Sequence, residues 1–311
     1  MKPFKHVAKG RNGASFALAA AVISGFSVYI NKFAVSGIGD PVVFTTLKNL
    51  VVAGLLFGVL IAPKALPELR ALTRRQWAAL GLIGCVGGGV PFLLFFHGLH
   101  MGTAAGAALI HKTMFVWAAV PAVIFLGERI GPSHAVALAV LLGGSILLLG
   151  PPGAWTPGGG TLLVLLATLL WAVEAVIAKK VLAGMGPGVA AFGRMFFGSA
   201  VLLAYLAFSG KLGAVLALDG GQAAWTGLTA LLLFGYVTCY YAGLKHAPVT
   251  VVTGIMVLGS LITNLLERLS GGSACTTDHW IGPALIACAV FALWRLAPAG
   301  MRQKSGEAHA A

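Results

Sequence analysis

Three cationic residues lie inside apolar segments that are long enough to cross a membrane. Lys48 and Arg194 each come seven residues after a proline, Pro41 or Pro187, that opens such a segment, and Lys112 lies within another. At about 1.5 Å of rise per helical residue, Lys48 and Arg194 would each lie about 10 Å into the hydrocarbon. A cation at that depth costs roughly 2.5–3.5 kcal/mol on insertion scales. The matched pair therefore indicates a polar path through the bilayer.

One group of basic residues is predicted in the outer half of the membrane. His111 and Lys112 would lie about 13 Å below the outer surface, at a level similar to that of Lys48, with His97 nearer the surface. The nearest acidic residue is Asp40, at the outer interface. Because unpaired buried cations are expensive, we expect a water-filled cavity or a visiting anion here.

Glu174 is expected in the inner half, about 21 Å down its span and about 9 Å from the opposite surface. Arg194 would lie at the same level on the next span. We predict an ion pair between them, or a pair that exchanges with substrate or a proton. Glu174 is the first candidate for proton coupling and His111 is the second.

Aromatic residues supply candidate walls for this path. Trp171 comes one helical turn before Glu174 and so shares its face, Tyr236 could stack on a substrate ring, and Trp117 could line a cavity. Each polar or aromatic residue also has a structural interpretation, as a tether to backbone carbonyls, a cross-link between helices or an aromatic at the membrane interface.

Two further features concern helix packing and helix ends. Gly84 and Gly88 form a GxxxG spacing that allows close helix contact, and Pro91 follows at a position where it should kink or weaken the helix. Glu128 is interpreted as a helix-end feature, and Glu267 as half of a solvated pair with Arg268.

Composition excludes a soluble protein, because 59% of residues are hydrophobic and only 9% are charged, against about 25% charged in soluble domains. The basic residues are scattered between apolar segments, which argues against nucleic acid as a partner. The four cysteines show no metal-ligand spacing. No metal or cofactor is therefore expected, and the predicted partners are the lipid bilayer and a small-molecule substrate.

The predicted fold is an all-α integral membrane protein of ten transmembrane helices in a 5+5 inverted-topology repeat. The candidate spans are 14–34, 41–62, 76–99, 103–126, 132–150, 160–183, 187–209, 222–243, 248–269 and 277–297. Of the 21 lysines and arginines, fifteen fall on the side of the N-terminus, three on the other side and three in the membrane. This distribution predicts that both termini are cytoplasmic.

The repeat is visible as a shared offset between the two halves. A shift of 146 superposes Pro41 and Lys48 on Pro187 and Arg194, and a shift of 145 superposes Gly98 on Gly243. Five spans in each half force the second half to enter the membrane from the opposite face. The predicted parts are a cytoplasmic tail (1–13), a first five-helix repeat (14–150), an outer linker (151–159), a second repeat (160–297) and a cytoplasmic tail (298–311).

The arrangement resembles the EamA-type branch of the drug/metabolite transporter superfamily. The resemblance rests on the ten predicted helices, on Leu126-Gly127-Glu128-Arg129 at the end of the fourth span, and on Gly143-Gly144-Ser145-Ile146-Leu147-Leu148-Leu149-Gly150 in the fifth. It also includes the arginine after the proline of the seventh span. It covers nearly the whole chain and implies transport, with efflux the commoner role.

These observations favour a secondary transporter that moves an amino acid or organic anion across the cytoplasmic membrane by alternating access, as a monomer or a homodimer. A channel or lipid scramblase on the same fold is the alternative. A membrane-embedded enzyme is less favoured, since HExxH and GxSxG patterns are absent. A GxxxxGK[ST] nucleotide-binding motif is also absent, which argues against ATP-driven transport.

Overall fold

The computed structural model describes residues 4–62, 65–102, 104–149, 158–270 and 280–297, and the regular structure in these ranges is helical. The predicted C-terminal tail and most of the predicted linker lie outside them. The helices are α1 (Phe4–Ile38), α2 (Pro41–Leu60), α3 (Leu66–Arg70), α4 (Arg74–Ile83), α5 (Val90–Met101), α6 (Ala104–Lys112), α7 (Met114–Leu126), α8 (Pro132–Leu149), α9 (Gly159–Val181), α10 (Pro187–Phe208), α11 (Gly220–His246), α12 (Val249–Met256), α13 (Leu258–Leu269) and α14 (Ile281–Leu296). A π-helical segment, Gly84–Gly89, joins α4 to α5, and a 3₁₀ turn covers Leu212–Val215.

Eight helical stretches in the described ranges are long and apolar enough to cross a membrane. Two shorter apolar helices, Pro132–Leu148 and Ile281–Leu296, lie where the fifth and tenth spans are predicted. The first helix begins ten residues before the predicted start at 14, because the polar residues that precede the apolar run are also helical. The described part of the chain is therefore all-helical, and the protein is a multi-pass membrane protein.

The chain begins several helices with residues that satisfy the free backbone N–H groups of a first turn. The Asp40 carboxylate accepts from the N–H groups of Val42 and Val43 at the start of α2. Thr73 and Asp219 each form a capping box, with Gln76 at α4 and Gln222 at α11. Proline opens α2 and α10, where its missing N–H has no consequence.

Contacts between helices occur in matched sets. α1 packs against α11, α12 and α13, and α9 packs in the same manner against α5, α6 and α7. α2 packs against α11, while α10 packs against α4 and the π segment. The pairs α2–α10 and α8–α14 each join one helix of the first half to one of the second. Two related units facing each other would produce this set of contacts.

Small residues bring α10 against the π segment, as the GxxxG spacing predicts. A Cβ added to Gly88 would lie 2.4 Å from the Arg194 carbonyl oxygen, and one added to Gly198 would lie 2.7 Å from the Gly88 backbone. Gly84 meets Phe197 in the same way, at 2.3 Å. Since real Cβ atoms do not approach this closely, only glycine allows this contact, which sets the position of Arg194.

Candidate functional site

The site is built around the π segment between α4 and α5. Proline has no backbone N–H, so Pro91 cannot donate to the Gly87 carbonyl four residues earlier. That carbonyl accepts instead from two side chains, Trp171 Nε1 at 2.9 Å and Arg194 Nη2 at 3.2 Å. The expected weakening of the helix at Pro91 therefore takes the form of a π segment, and it brings together two predicted site residues from α9 and α10.

Glu174 and Arg194 are neighbours across Gly87. Glu174 Cδ lies 2.9 Å, and Arg194 Nε 3.3 Å, from the place where a Gly87 Cβ would be. Both side chains are buried, with 1% and 6% of their surface exposed. No N···O pair between them lies within 4.0 Å among the described residues. Of the two predicted alternatives, an ion pair or a pair that exchanges with substrate or a proton, the first is therefore not formed as a direct contact. Both side chains occupy the space next to the Gly87 Cα that a Cβ would otherwise fill.

Tyrosines of α11 complete this part of the site. The Tyr241 hydroxyl donates to Glu174 Oε1 at 2.5 Å, and Tyr241 is fully buried. Tyr236 and Tyr240 lie within electrostatic range of Arg194, and their rings stack with centroids 5.7 Å apart. Tyr236 thus lies beside Arg194. Tyr241, which is not among the predicted site residues, is the hydrogen-bond partner of the buried carboxylate.

An aromatic wall continues from Trp171 in the direction away from Glu174. The Trp171 ring contacts the rings of His111, Phe92 and Phe95, at centroid distances of 4.8, 5.2 and 5.7 Å. His111 Nδ1 is buried and has no hydrogen-bond partner in the described part of the chain. The structure therefore brings His111 into the same cluster as Trp171, Arg194 and Glu174.

The remaining predicted site residues have different surroundings. Lys48 is 8% exposed, and its Nζ lies 4.7 Å from the centre of the Phe44 ring, one turn earlier in α2. Its neighbour Asn49 donates to the Gly88 carbonyl at 3.5 Å, which places α2 against the π segment. Lys112 is half-buried, next to His111 at the end of α6.

Trp117 is not brought into the cluster. It is 39% exposed, and its indole N–H donates to Thr113 Oγ1 at 3.0 Å on its own helix. This position follows from α7, which turns Phe115 and Ala118 inward and Trp117 outward.

The two ends of the cluster differ in accessibility. Beyond Glu174, Tyr241 and Leu244 are fully buried and Ala247 is 1% exposed. At the other end His97 is exposed, and its Nε2 lies 3.1 Å from the Tyr205 hydroxyl. The cluster is thus closed by packed side chains at one end, whereas the side chain at the other end is exposed.

Glu128 has a larger structural role than the helix-end feature expected from the sequence. Gly127, with φ of 65°, ends α7 and directs Glu128 to the start of α12. The carboxylate accepts from Val249 N at 2.6 Å, Thr250 N at 3.1 Å and Thr250 Oγ1 at 2.8 Å. Close by, Lys179 Nζ donates to the Leu244 and Ala247 carbonyls at the end of α11. The Glu128 carboxylate therefore stabilises the start of α12, and the Lys179 ammonium stabilises the end of α11.

Two ion pairs lie near helix ends. Glu267 pairs with Lys32 at 3.6 Å, and both partners are about half exposed. Asp40 pairs with Lys211 at 2.7 Å. Burial alone would raise the pKa of Asp40, but hydrogen bonds from Lys211 and from the first turn of α2 outweigh it and lower the pKa below its ordinary value of 3.8.

Sequence reasoning missed Gly87 as a member of this cluster. The signal is Pro91, because a proline within a helix frees the carbonyl four residues before it, but the sequence does not say which side chain binds that carbonyl. Among the residues described, no group of three histidine, cysteine, aspartate or glutamate side chains could hold a metal ion.

The profile of the EamA-like transporter family matches the chain twice, over residues 11–150 and 158–295. The chain belongs to this family, and through it to the drug/metabolite transporter superfamily. An uncharacterized transporter of Archaeoglobus fulgidus is 26% identical over 283 residues, covering 91% of this chain and 96% of that protein. An uncharacterized transporter in the cobO 3' region of a Sinorhizobium species is 26% identical over 133 residues, covering 43% of this chain and 93% of that protein.

A protein of known crystal structure shares the fold of this EamA-like chain. Its TM-score is 0.72 at 18% sequence identity, and the match covers 90% of this chain and 97% of that protein. The family and the names of the relatives point to transport rather than to enzymatic catalysis.

Proposed function

We propose that the protein is a secondary transporter that moves a small metabolite bearing a carboxylate, such as an amino acid or an organic anion, across the cytoplasmic membrane by alternating access. Export is the proposed direction, since efflux is the commoner role in the family. In this proposal Lys48, Lys112, His111, Arg194, Glu174, Trp171 and Tyr236 contact the substrate or the translocation path, and Trp117 lies on an outer wall.

One observation carries the proposal, namely that two of the three guanidinium nitrogens of Arg194 are buried without a hydrogen-bond partner among the described residues. The side chain is 6% exposed, and its Nε and Nη1 atoms are buried with no hydrogen-bond partner among the described residues. An unsatisfied buried donor costs about 1–3 kcal/mol, and more on a charged group, so its presence calls for a partner. A substrate carboxylate would accept from these N–H groups, and the Trp171 wall would contact the rest of the molecule.

The charge balance supports an anionic group on the substrate. Away from the span ends, the apolar segments contain three cations, Lys48, Lys112 and Arg194, and one acid, Glu174. The excess of positive charge would attract an anion into this region and would be neutralised by it.

The proposed topology is ten spans in a 5+5 inverted repeat, with both termini in the cytoplasm. The matched helix contacts and the two family matches support a duplicated unit. In such repeats the substrate binds between the halves near the middle of the bilayer, and the cluster around Gly87 combines α4–α5 of the first half with α9, α10 and α11 of the second.

Proton coupling is proposed for Glu174, with His111 as the second candidate. Tyr241 and Arg194 flank Glu174, so protonation of the carboxylate would change both the hydrogen bond and the charge balance beside Arg194. Exchange of the proton with substrate would then link their movements.

Purified protein in proteoliposomes tests the proposal. Uptake of labelled amino acids and organic acids should be saturable and should depend on a pH gradient. Arg194→Ala and Lys48→Ala should abolish it, whereas Lys32→Ala is the matched control because Lys32 is about half exposed. Glu174→Gln should keep substrate exchange but lose accumulation driven by the pH gradient.

Several outcomes would reject the proposal. Normal substrate binding by both Arg194→Ala and Lys48→Ala would remove them as substrate contacts. Rapid, unsaturable flux would favour a channel, and lipid movement without solute flux would favour a scramblase.

A gel-filtration and light-scattering measurement in detergent distinguishes a monomer from a homodimer.

A further inference from the structure

The Gly87 carbonyl holds two functional side chains at once, and this shared contact has consequences for binding. We propose that Gly87 is a positioning residue for the substrate site, made available by Pro91, and that its carbonyl fixes the Arg194 guanidinium and the Trp171 ring relative to each other. The inference rests on the proposed function, since it concerns the same site.

The Gly87 carbonyl lacks the backbone donor that it would have in an α-helix. In an α-helix, the Gly87 carbonyl would accept from the N–H of residue 91, and proline has none. The surrounding segment is π-helical, with the Val90 N–H donating to the Cys85 carbonyl five residues back. The acceptor at Gly87 is therefore open to side chains, and Trp171 and Arg194 bind it at 2.9 and 3.2 Å.

Binding to the Gly87 carbonyl occupies only one nitrogen of the Arg194 guanidinium. Arg194 uses Nη2 for the carbonyl, while Nε and Nη1 lack partners in the described structure. The guanidinium is thus held by one nitrogen and can offer the other two to a ligand. Trp171 uses its only N–H for the carbonyl, so its ring is held against His111 with centroids 4.8 Å apart.

Gly87 has no side chain, and this leaves room for Glu174 and Arg194. A Cβ there would lie 2.4 Å from Glu174 Cγ and 3.3 Å from Arg194 Nε. Glycine therefore lets the carboxylate and the guanidinium approach the same backbone unit. The guanidinium and the indole share one point of attachment, the Gly87 carbonyl, with the carboxylate beside it, so a change in this carbonyl should move the first two.

Pro91→Ala tests this inference, because it restores an N–H that competes with Trp171 and Arg194 for the Gly87 carbonyl. The chain has seven tryptophans, and their indole N–H resonances can be followed by ¹⁵N NMR in nanodiscs. Trp171→Phe identifies the Trp171 resonance. In Pro91→Ala this resonance should shift towards the positions of indoles without a hydrogen bond, while most others stay unchanged.

Pro121→Ala is the matched control. Pro121 lies inside α7, and its replacement restores an N–H to the Trp117 carbonyl, to which no described side chain is seen to donate. This variant should leave the Trp171 resonance in place. If Pro91→Ala does not fold, Pro91→Val supplies the same N–H with more buried volume. An unshifted Trp171 resonance in a folded variant of Pro91 would overturn the inference.

Binding of benzoate, a simple ring with a carboxylate, tests the consequence for the ligand. Pro91→Ala should weaken its affinity about tenfold, which corresponds to about 1.4 kcal/mol, and Pro121→Ala should leave it unchanged. Equal affinity in wild type and Pro91→Ala, despite a shifted resonance, would overturn the positioning role. If wild type does not bind benzoate, the anion site of the proposed function fails, whereas the indole resonance still decides whether Gly87 positions Trp171.

Discussion

Replacing Glu128 should destabilise the protein strongly, although the residue lies between helices. Its carboxylate accepts three hydrogen bonds, from the Val249 N–H and from the N–H and hydroxyl of Thr250. Glu128 is 8% exposed, Val249 is fully buried and Thr250 is 6% exposed. Water therefore cannot readily replace the lost acceptor.

The magnitude follows from the donors that would be left without a partner. Glu128→Ala leaves two buried backbone N–H groups unsatisfied, since the threonine hydroxyl can rotate to another acceptor. At about 1–3 kcal/mol for each donor, and with the loss of negative charge at a helix N-terminus, we expect a decrease of about 3 kcal/mol in the free energy of unfolding. Glu128→Gln keeps one acceptor oxygen and should lose about half as much.

Unfolding in mixed detergent micelles, with increasing SDS, measures this free energy. Glu267→Ala is the control, because it removes a carboxylate from an ion pair that is about half exposed, and such pairs contribute about 0–1 kcal/mol. If Glu128→Ala and Glu267→Ala lose the same stability, the buried capping contact does not stabilise α12, and the reasoning fails.

Two further predictions concern Gly87 in the candidate site and the Asp40–Lys211 ion pair. Gly87→Ala should reduce transport strongly, since its Cβ would lie 2.4 Å from Glu174 Cγ; Gly81→Ala, where nothing lies within 4 Å, should transport normally, and equal rates in proteoliposomes would contradict the prediction. The stabilisation from the Asp40–Lys211 pair should depend on pH. The lowered pKa of Asp40 means that its contribution is present above its ordinary value of 3.8 and is lost as pH falls below it. Hydrogen bonding to Asp40 raises the pKa of Lys211, so this contribution is present below its ordinary value of 10.5 and is lost as pH rises through the folded value. The stability difference between wild type and Lys211→Met should therefore vanish at both extremes, and a difference that is constant with pH would contradict the prediction.

The helices could be predicted from the sequence because apolar length and charge placement act locally. Pro41 and Pro187 mark the starts of α2 and α10 at the residues where the structure has them. The interruptions within the predicted spans were harder to predict from the sequence. The interruption between α12 and α13 near Val257 has no proline or charge to indicate it.

The site could be predicted in part. Burial of Lys48, Arg194 and Glu174 follows from their depth in apolar segments, and the structure buries all three. Their partners could not be predicted, because a hydrogen bond between distant residues depends on how helices are rotated against each other. Tyr241 reaches Glu174 from 67 positions away, and nothing in its local sequence separates it from an interfacial tyrosine.

The hydrogen-bond partners of Glu128 could not be predicted for the same reason. Its place after the fourth span gave the end of a helix correctly, but its bonds are to α12, more than 120 residues further along the chain. A carboxylate that caps a distant helix and one that faces solvent look alike in sequence.

A π turn holds one residue more than the α-helical turn that it replaces, since its hydrogen bonds close after five residues rather than four. The offset between the two matching stretches of the chain falls from 146 at Lys48 and Arg194 to 145 at Gly98 and Gly243, which is the change that one additional residue in the earlier stretch produces. At the offset of 145, Pro91 corresponds to Tyr236, within the uninterrupted helix Gly220–His246. A single insertion next to a proline would thus have made two copies of one ancestral unit unequal, and only one copy would then have had an open acceptor on which selection could act.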